Sequence, residues 1–147
     1  LSQTQDGDWR AQSSERAPAG TPAPLSLGQE RLWFLEQFEP GGHAYHLAAL
    51  FELRGELDAA ALERAVHGLL IRHEVLDRCI QGEDSVAAGG GAAVESADLR
   101  GRGQDEIDAL VEGFRLRPFE LQRQRPLRMQ LLRLDGQGDG PVRHWLQ

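Results

Sequence analysis

The chain has 147 residues, a formal net charge of −7 and a sequence pI near 5.2. That length suits one domain with a useful core, and the acidic balance disfavours a nucleic-acid phosphate surface as partner. The single cysteine, Cys79, excludes an internal disulfide framework and suggests a reducing compartment, the cytoplasm.

No apolar run approaches the ~20 residues needed to span a bilayer, so no membrane partner is expected. The first ten residues, LSQTQDGDWR, lack the basic and apolar regions of a secretory signal. The missing initiator Met reads as a piece of something longer. Lys and Asn are absent and all sixteen basic residues are Arg, which points to a GC-rich, bacterial genome.

Residues 1–23 are polar, carry Pro18, Gly20 and Pro22, and show no apolar period, so they read as a flexible interdomain linker. A helix is predicted over Ser26 to Phe38. Ser26 and Gln29 form a capping box, and Pro40-Gly41-Gly42 stops the helix. Leu32, Leu35 and Phe38 share one side, and Trp33 and Phe34 read as core-packing residues. Tyr45 to Arg54 alternates as a strand, with Tyr45, Leu47, Ala49, Phe51 and Leu53 on one face.

The organising element is LDAAALERAVHGLLIRHEVLDRCI, residues 57–80. Asp58 is a fitting N-cap, and Leu57 with Leu62 matches a hydrophobic staple. Leu62, Val66, Leu69, His73 and Leu76 recur at helical steps, predicting one face buried against the strand from Tyr45. Gly82 to Ala93 is rich in Gly and Ala. Val94 begins a short strand. Asp105 caps a third helix carrying Ile107, Leu110, Val111 and Phe114, which Pro118 ends. Leu127 to Leu134 reads as a strand, Asp135 to Pro141 as a turn, and Val142 to Gln147 as the start of a returning strand. A returning strand this short would leave strand 127–134 with an open edge.

Little of this carries chemistry by itself. Gly89-Gly90-Gly91 lacks the residues that would make it a phosphate cradle. Asp135, Gln137 and Asp139 imitate a calcium loop, but Leu146 stands where the bidentate Glu is needed. The five histidines are scattered and fit no metal set. His73 reads as a hydrogen-bonded core residue, and no Ser lies in a nucleophile elbow. Residue physics alone ends at an α+β domain fragment.

Specific residues then add to that reading. Ser26-Leu27-Gly28-Gln29-Glu30-Arg31-Leu32-Trp33-Phe34-Leu35 resembles the first core motif of the condensation domains of non-ribosomal peptide synthetases. Arg72-His73-Glu74-Val75-Leu76 resembles the start of their second. Pro118-Phe119-Glu120-Leu121, Pro126-Leu127-Arg128 and Leu131-Leu132-Arg133-Leu134 resemble the approach to the third. The resemblance covers residues 24–147, and Arg-Leu-Trp-Phe-Leu is closest to the subtype joining an L-configured donor to an L-amino acid.

The resemblance implies a chloramphenicol-acetyltransferase-like lobe, incomplete, from a secondary-metabolite synthetase. Donor and acceptor would arrive as thioesters on phosphopantetheine arms of carrier proteins, at opposite ends of a tunnel, with no cofactor bound directly. It assigns Ser26, Gln29, Arg31, Trp33, Arg72, His73 and Glu74 to support of the fold or tunnel. The family's catalytic His-His-x-x-x-Asp-Gly motif is absent and is expected beyond Gln147, so no catalytic residue is assigned and this chain alone should be inactive. Asp77 reverses a charge where the family usually has Arg, which would disturb packing or mark a divergent member. Two other readings stay open: a non-catalytic module of the same fold that recruits a carrier protein or tailoring enzyme, and an acyltransferase with an alcohol acceptor.

Overall fold

The computed structural model describes residues 18, 20–88, 93–136 and 142–147. In chain order the elements are β1 (Ala23–Pro24), α1 (Leu27–Phe38), β2 (Phe51–Arg54), α2 (Ala59–Arg72), a 3-10 turn (Glu74–Asp77), β3 (Arg78–Gln81), β4 (Asp84–Ala87), β5 (Val94–Asp98), α3 (Gln104–Leu116), β6 (Met129–Leu134) and β7 (Arg143–Leu146).

Four strands form the main sheet in the order β2-β7-β6-β5. β5 runs parallel to β6, and the other neighbours are antiparallel. Strand alternation divides the apolar residues between two faces. Leu131, Leu146, Leu53 and Val94 meet Leu62 and Val66 of α2 on one face. Leu132, Leu134, Ala97 and Trp145 meet Ile107 and Val111 of α3 on the other. Leu132, at 1% exposure, lies at the centre of the second layer. The result is a helix, sheet, helix sandwich with β6 in its middle.

Both expected caps are present. Ser26 Oγ accepts from the Gln29 amide at 3.3 Å, and Gln29 Oε1 accepts from the Ser26 amide at 2.9 Å. Asp58 accepts from the Ala61 amide at 2.9 Å. α3 begins earlier than expected: Glu106 and Ile107 both donate to Gly103 O at 3.1 Å. Asp105 therefore sits inside the first turn, where its charge complements the helix dipole.

Four expectations need correction. First, the organising helix stops at Arg72 and does not run on through the second motif. His73 takes φ −122°, ψ 75° and is exposed just past the helix, so it is no core residue. Leu62 and Val66 face the sheet, and the buried residues of the helix are Val66 and Leu70. Leu70 is 4% exposed, while Leu69, one residue round the helix, is 38% exposed.

Second, residues 78–81 and 84–87 form a hairpin across a two-residue loop, where Gly82 takes φ +65°, suited to Gly as first residue of such a loop. β1 adds to its edge, so Ala23 is paired with Ser85 and is not flexible linker. Third, β2 begins only at Phe51. The register sets Phe51 opposite Leu146, which leaves residues 45–49 with no ladder partner among the described residues. Fourth, β6 spans Met129–Leu134 and has neighbours on both sides, so it presents no open edge. Gly89 to Gly91 and most of the turn from Asp135 to Pro141 lie outside the described residues.

Candidate functional site

One end of the sheet gathers several elements. β7 arrives there, and Gln147 and Gln130 exchange backbone hydrogen bonds of 2.7 and 3.0 Å, with a side-chain bond of 2.9 Å between them. The segment before β2, the C-terminal half of α1 and the loop 117–128 converge at the same end. Between them lies a groove of about 420 Å³, lined by Leu32, Leu35 and Phe38 of α1, by Tyr45 to Leu47, and by Phe119 and Arg128. A separate crevice of about 70 Å³ lies on the other side of His46, Leu47, Phe119 and Arg128, which line both, and is bounded by Gln147.

Arg128 organises this wall. Its guanidinium donates to Pro118 O at 3.0 Å, Phe114 O at 3.1 Å and Arg117 O, answering carbonyls that the end of α3 leaves unpaired. It also lies 4.0 Å from the centre of the Phe119 ring and 5.3 Å from that of Phe114. Burial, then the Arg117 charge, holds its pKa below the usual arginine value, with Glu95 opposing. Arg117 itself pairs with Glu95 at 2.5 Å. The His46 ring stands nearly perpendicular to that of Phe119, with the ring centres 5.1 Å apart.

The first-motif residues do not all face this groove. Ser26 and Gln29 cap α1, Arg31 is exposed, and Trp33, half-buried, and Phe34, exposed, are not the core residues expected, whereas Leu32 and Leu35 line the groove. The second motif backs the wall. Arg72 and His73 are exposed, but Glu74 pairs with Arg78 at 3.8 Å, Ile80 N donates to Leu121 O at 2.8 Å, and Asp77 meets Arg125 Nε at 3.1 Å. The reversed charge at Asp77 is thus met by an arginine of the loop, as an ion pair to an oxygen that is otherwise without a hydrogen-bond partner among the described residues.

Arg78 is a second centre missed by sequence reasoning. It donates to Ser85 Oγ at 3.0 Å, to Ser85 O at 2.5 Å and to Thr21 O at 2.6 Å, tying the lead-in segment to the hairpin. His46 and Arg128 were visible as residues, but their meeting was not, because nothing local in the sequence pairs positions so far apart.

A wider hollow of about 850 Å³ opens at the other end of the sheet, between Gly55, Arg133 and His144. Among the described residues no cluster of His, Cys, Asp or Glu could hold a metal ion, and no helix is long and apolar enough to cross a membrane.

Comparison with known proteins gives this geometry a context. The family model described as Condensation domain matches residues 20–140. One of the linear gramicidin synthase proteins of Brevibacillus parabrevis is 34% identical over 123 residues, which are 78% of this chain and 2% of that protein. Malpibaldin synthetase of Mortierella alpina is 34% identical over 128 residues, 81% of this chain and 2% of that protein. Among solved structures, the X-domain in complex with OxyB from teicoplanin biosynthesis superposes with a TM-score of 0.70 at 23% identity, covering 90% of this chain and 28% of that one. The starter condensation domain of rhizomide synthetase gives 0.69 at 17% identity, covering 86% and 32%.

Proposed function

The chain belongs to the condensation-domain family, with part of its chloramphenicol-acetyltransferase-like α+β fold, and from that premise we propose that the protein containing it joins two carrier-bound acyl groups through an amide. The family match from residue 20 to residue 140 carries this reading, because its bounds take in every element from β1 through β6. The chain spans about 2% of the synthetases it resembles, and the activity proposed is that of the whole protein.

The acceptor's amine attacks the carbonyl carbon of the donor thioester. A C–N bond forms, the C–S bond breaks, and the proton lost by nitrogen ends on the released thiol. Substrates held on phosphopantetheine arms need little from the protein beyond alignment, and alignment alone is worth up to ~7–11 kcal/mol. The groove beside α1 is suited to an extended arm, with Arg128 and Phe119 as its stiff wall. Adjacent histidines do not occur in these 147 residues, so this chain supplies wall and scaffold. The partners are carrier proteins and adjoining synthetase domains. The Lys-free, Asn-free composition and the lone cysteine favour a bacterial cytoplasm as the setting, although the relatives include both bacterial and fungal synthetases.

One observation keeps a second reading. Asp77 stands where an Arg is the family habit and is already engaged by Arg125, as suits a condensation-like module that recruits a partner without catalysing. Incubating the full-length protein with loaded donor and acceptor carriers, and following product by mass spectrometry, separates the two. Amide product supports the enzyme. Carrier binding with no product supports the module.

A further inference from the structure

The loop 117–128 is a wall with space on both sides. Five of its residues, Phe119, Leu121, Pro126, Leu127 and Arg128, line the 420 Å³ groove. A second hollow, of about 270 Å³, is bounded by Ala88, Glu95 and Arg125 and is lined by Phe119, Leu127 and Arg128 as well. A wall with open space behind it is not held by packing alone, so its position depends on ties. Two of these are backbone bonds: Leu121 O accepts from the Ile80 amide at 2.8 Å, and the Met129 amide donates to Ala93 O at 3.0 Å. Between them Arg125 turns its side chain, 11% exposed, to Asp77, with Nε 3.1 Å from Oδ1. Asp77 is itself well fixed. It ends the 3-10 turn, and its carbonyl accepts from the Ala88 amide at 3.0 Å. Its Oδ1 is shielded from solvent and has no hydrogen-bond partner among the described residues, so the Arg125 charge is what answers it. Such a pair resists separation, because either partner alone is left as a shielded charge.

We propose that Asp77 is a positioning residue: through Arg125 it pins Pro126, Leu127 and Arg128, and so fixes the width of the groove that takes the substrate arm. The inference rests on the amide-forming reading above, in which that groove receives the arm. Asp77 touches no substrate. Without its charge the Arg125 end of the wall is released, and the wall recedes into the 270 Å³ behind it. The arm then loses contact along one side. Binding of the arm weakens, while the bond-forming step that follows binding is little changed.

The test uses the full-length protein, with pantetheine as a soluble probe for the arm. Asp77→Asn keeps the shape and removes the charge. Hydrogen exchange should quicken at residues 119–128 in this variant and stay unchanged across β6. Pantetheine affinity should fall about fivefold, and KM for the acceptor-loaded carrier should rise to match, with kcat within about twofold. Arg125→Gln should do the same. The two substitutions together should cost no more than either alone, since both remove one tie. A loss that multiplies in the double variant overturns the proposal. So does unchanged exchange at residues 119–128, or a wild type that does not bind pantetheine. Should Asp77→Asn fail to fold, Arg125→Gln, in the loop itself, carries the same exchange and affinity readings. Quickened exchange with a non-multiplying loss of pantetheine affinity, in a protein forming no amide, would keep this inference and discard the amide reading. Amide formation with unchanged exchange at residues 119–128 would do the reverse.

Discussion

At the scale of single residues, charge in this chain is spent on fastening backbone. Arg78 sits with its side chain 11% exposed between the lead-in segment and the hairpin. Its position among Thr21, Glu74 and Ser85 answers a weakness in β1, where Pro22 and Pro24 have no amide to donate. Ser85 Oγ adds a bond to Ala23 O at 3.2 Å. Arg78→Ala should therefore cost about 1.5–3 kcal/mol, the range for hydrogen bonds to a charged group. Hydrogen exchange should speed up at residues 20–25 while β6 stays protected. Unchanged exchange in that segment would show that Leu25, buried beneath it, anchors the lead-in without help.

At the scale of elements, local signals were legible and long-range ones were not. The Ser26–Gln29 capping box and the Asp58 cap need only four consecutive residues, and both stand as read. The hairpin 78–87 was hidden because each strand is four residues long and the first follows directly on a helical apolar period. The strand from Tyr45 alternates as a strand should, but alternation cannot supply a neighbour, and ordered pairing begins at Phe51. Which of Leu69 and Leu70 is buried was equally beyond periodicity, since both fit an apolar stripe and only the packing around α2 decides. Leu70→Ala should destabilise by about 2–4 kcal/mol and Leu69→Ala by less than about 1 kcal/mol. Equal losses in thermal melts of the two variants would mean that α2 is rotated from the orientation described.

The candidate site divides the same way. Its motif residues could be named from sequence, yet Ser26 and Gln29 serve α1's end, and Arg72 and His73 point to solvent. The wall is built by Phe119 and Arg128, whose contacts with Phe114 and His46 close only in three dimensions.

At the scale of the whole molecule, the apolar residues left in water are concentrated at one end. Phe34, Phe38, Tyr45, Leu47 and Leu50 are all exposed, Phe38 at 81%, and residues 45–49 have no ladder partner among the described residues. Exposed apolar surface of this kind drives association. The 147-residue chain should elute from a sizing column as a concentration-dependent mixture, and the full-length protein should not. A monodisperse short chain would show that this surface is better satisfied than its exposure implies.

The central claim is that carrier-borne arms enter at the α1 end of the sheet and not at the wider hollow by Gly55, Arg133 and His144. Hydrogen–deuterium exchange on the full-length protein, with and without a carrier bearing a non-hydrolysable aminoacyl arm, tests this directly. Entry at the α1 end predicts slowed exchange at residues 32–47 and 119–128 when the loaded carrier is present, and none with a carrier lacking the arm. Protection confined to residues 55–59, 131–133 and 142–144 would contradict it.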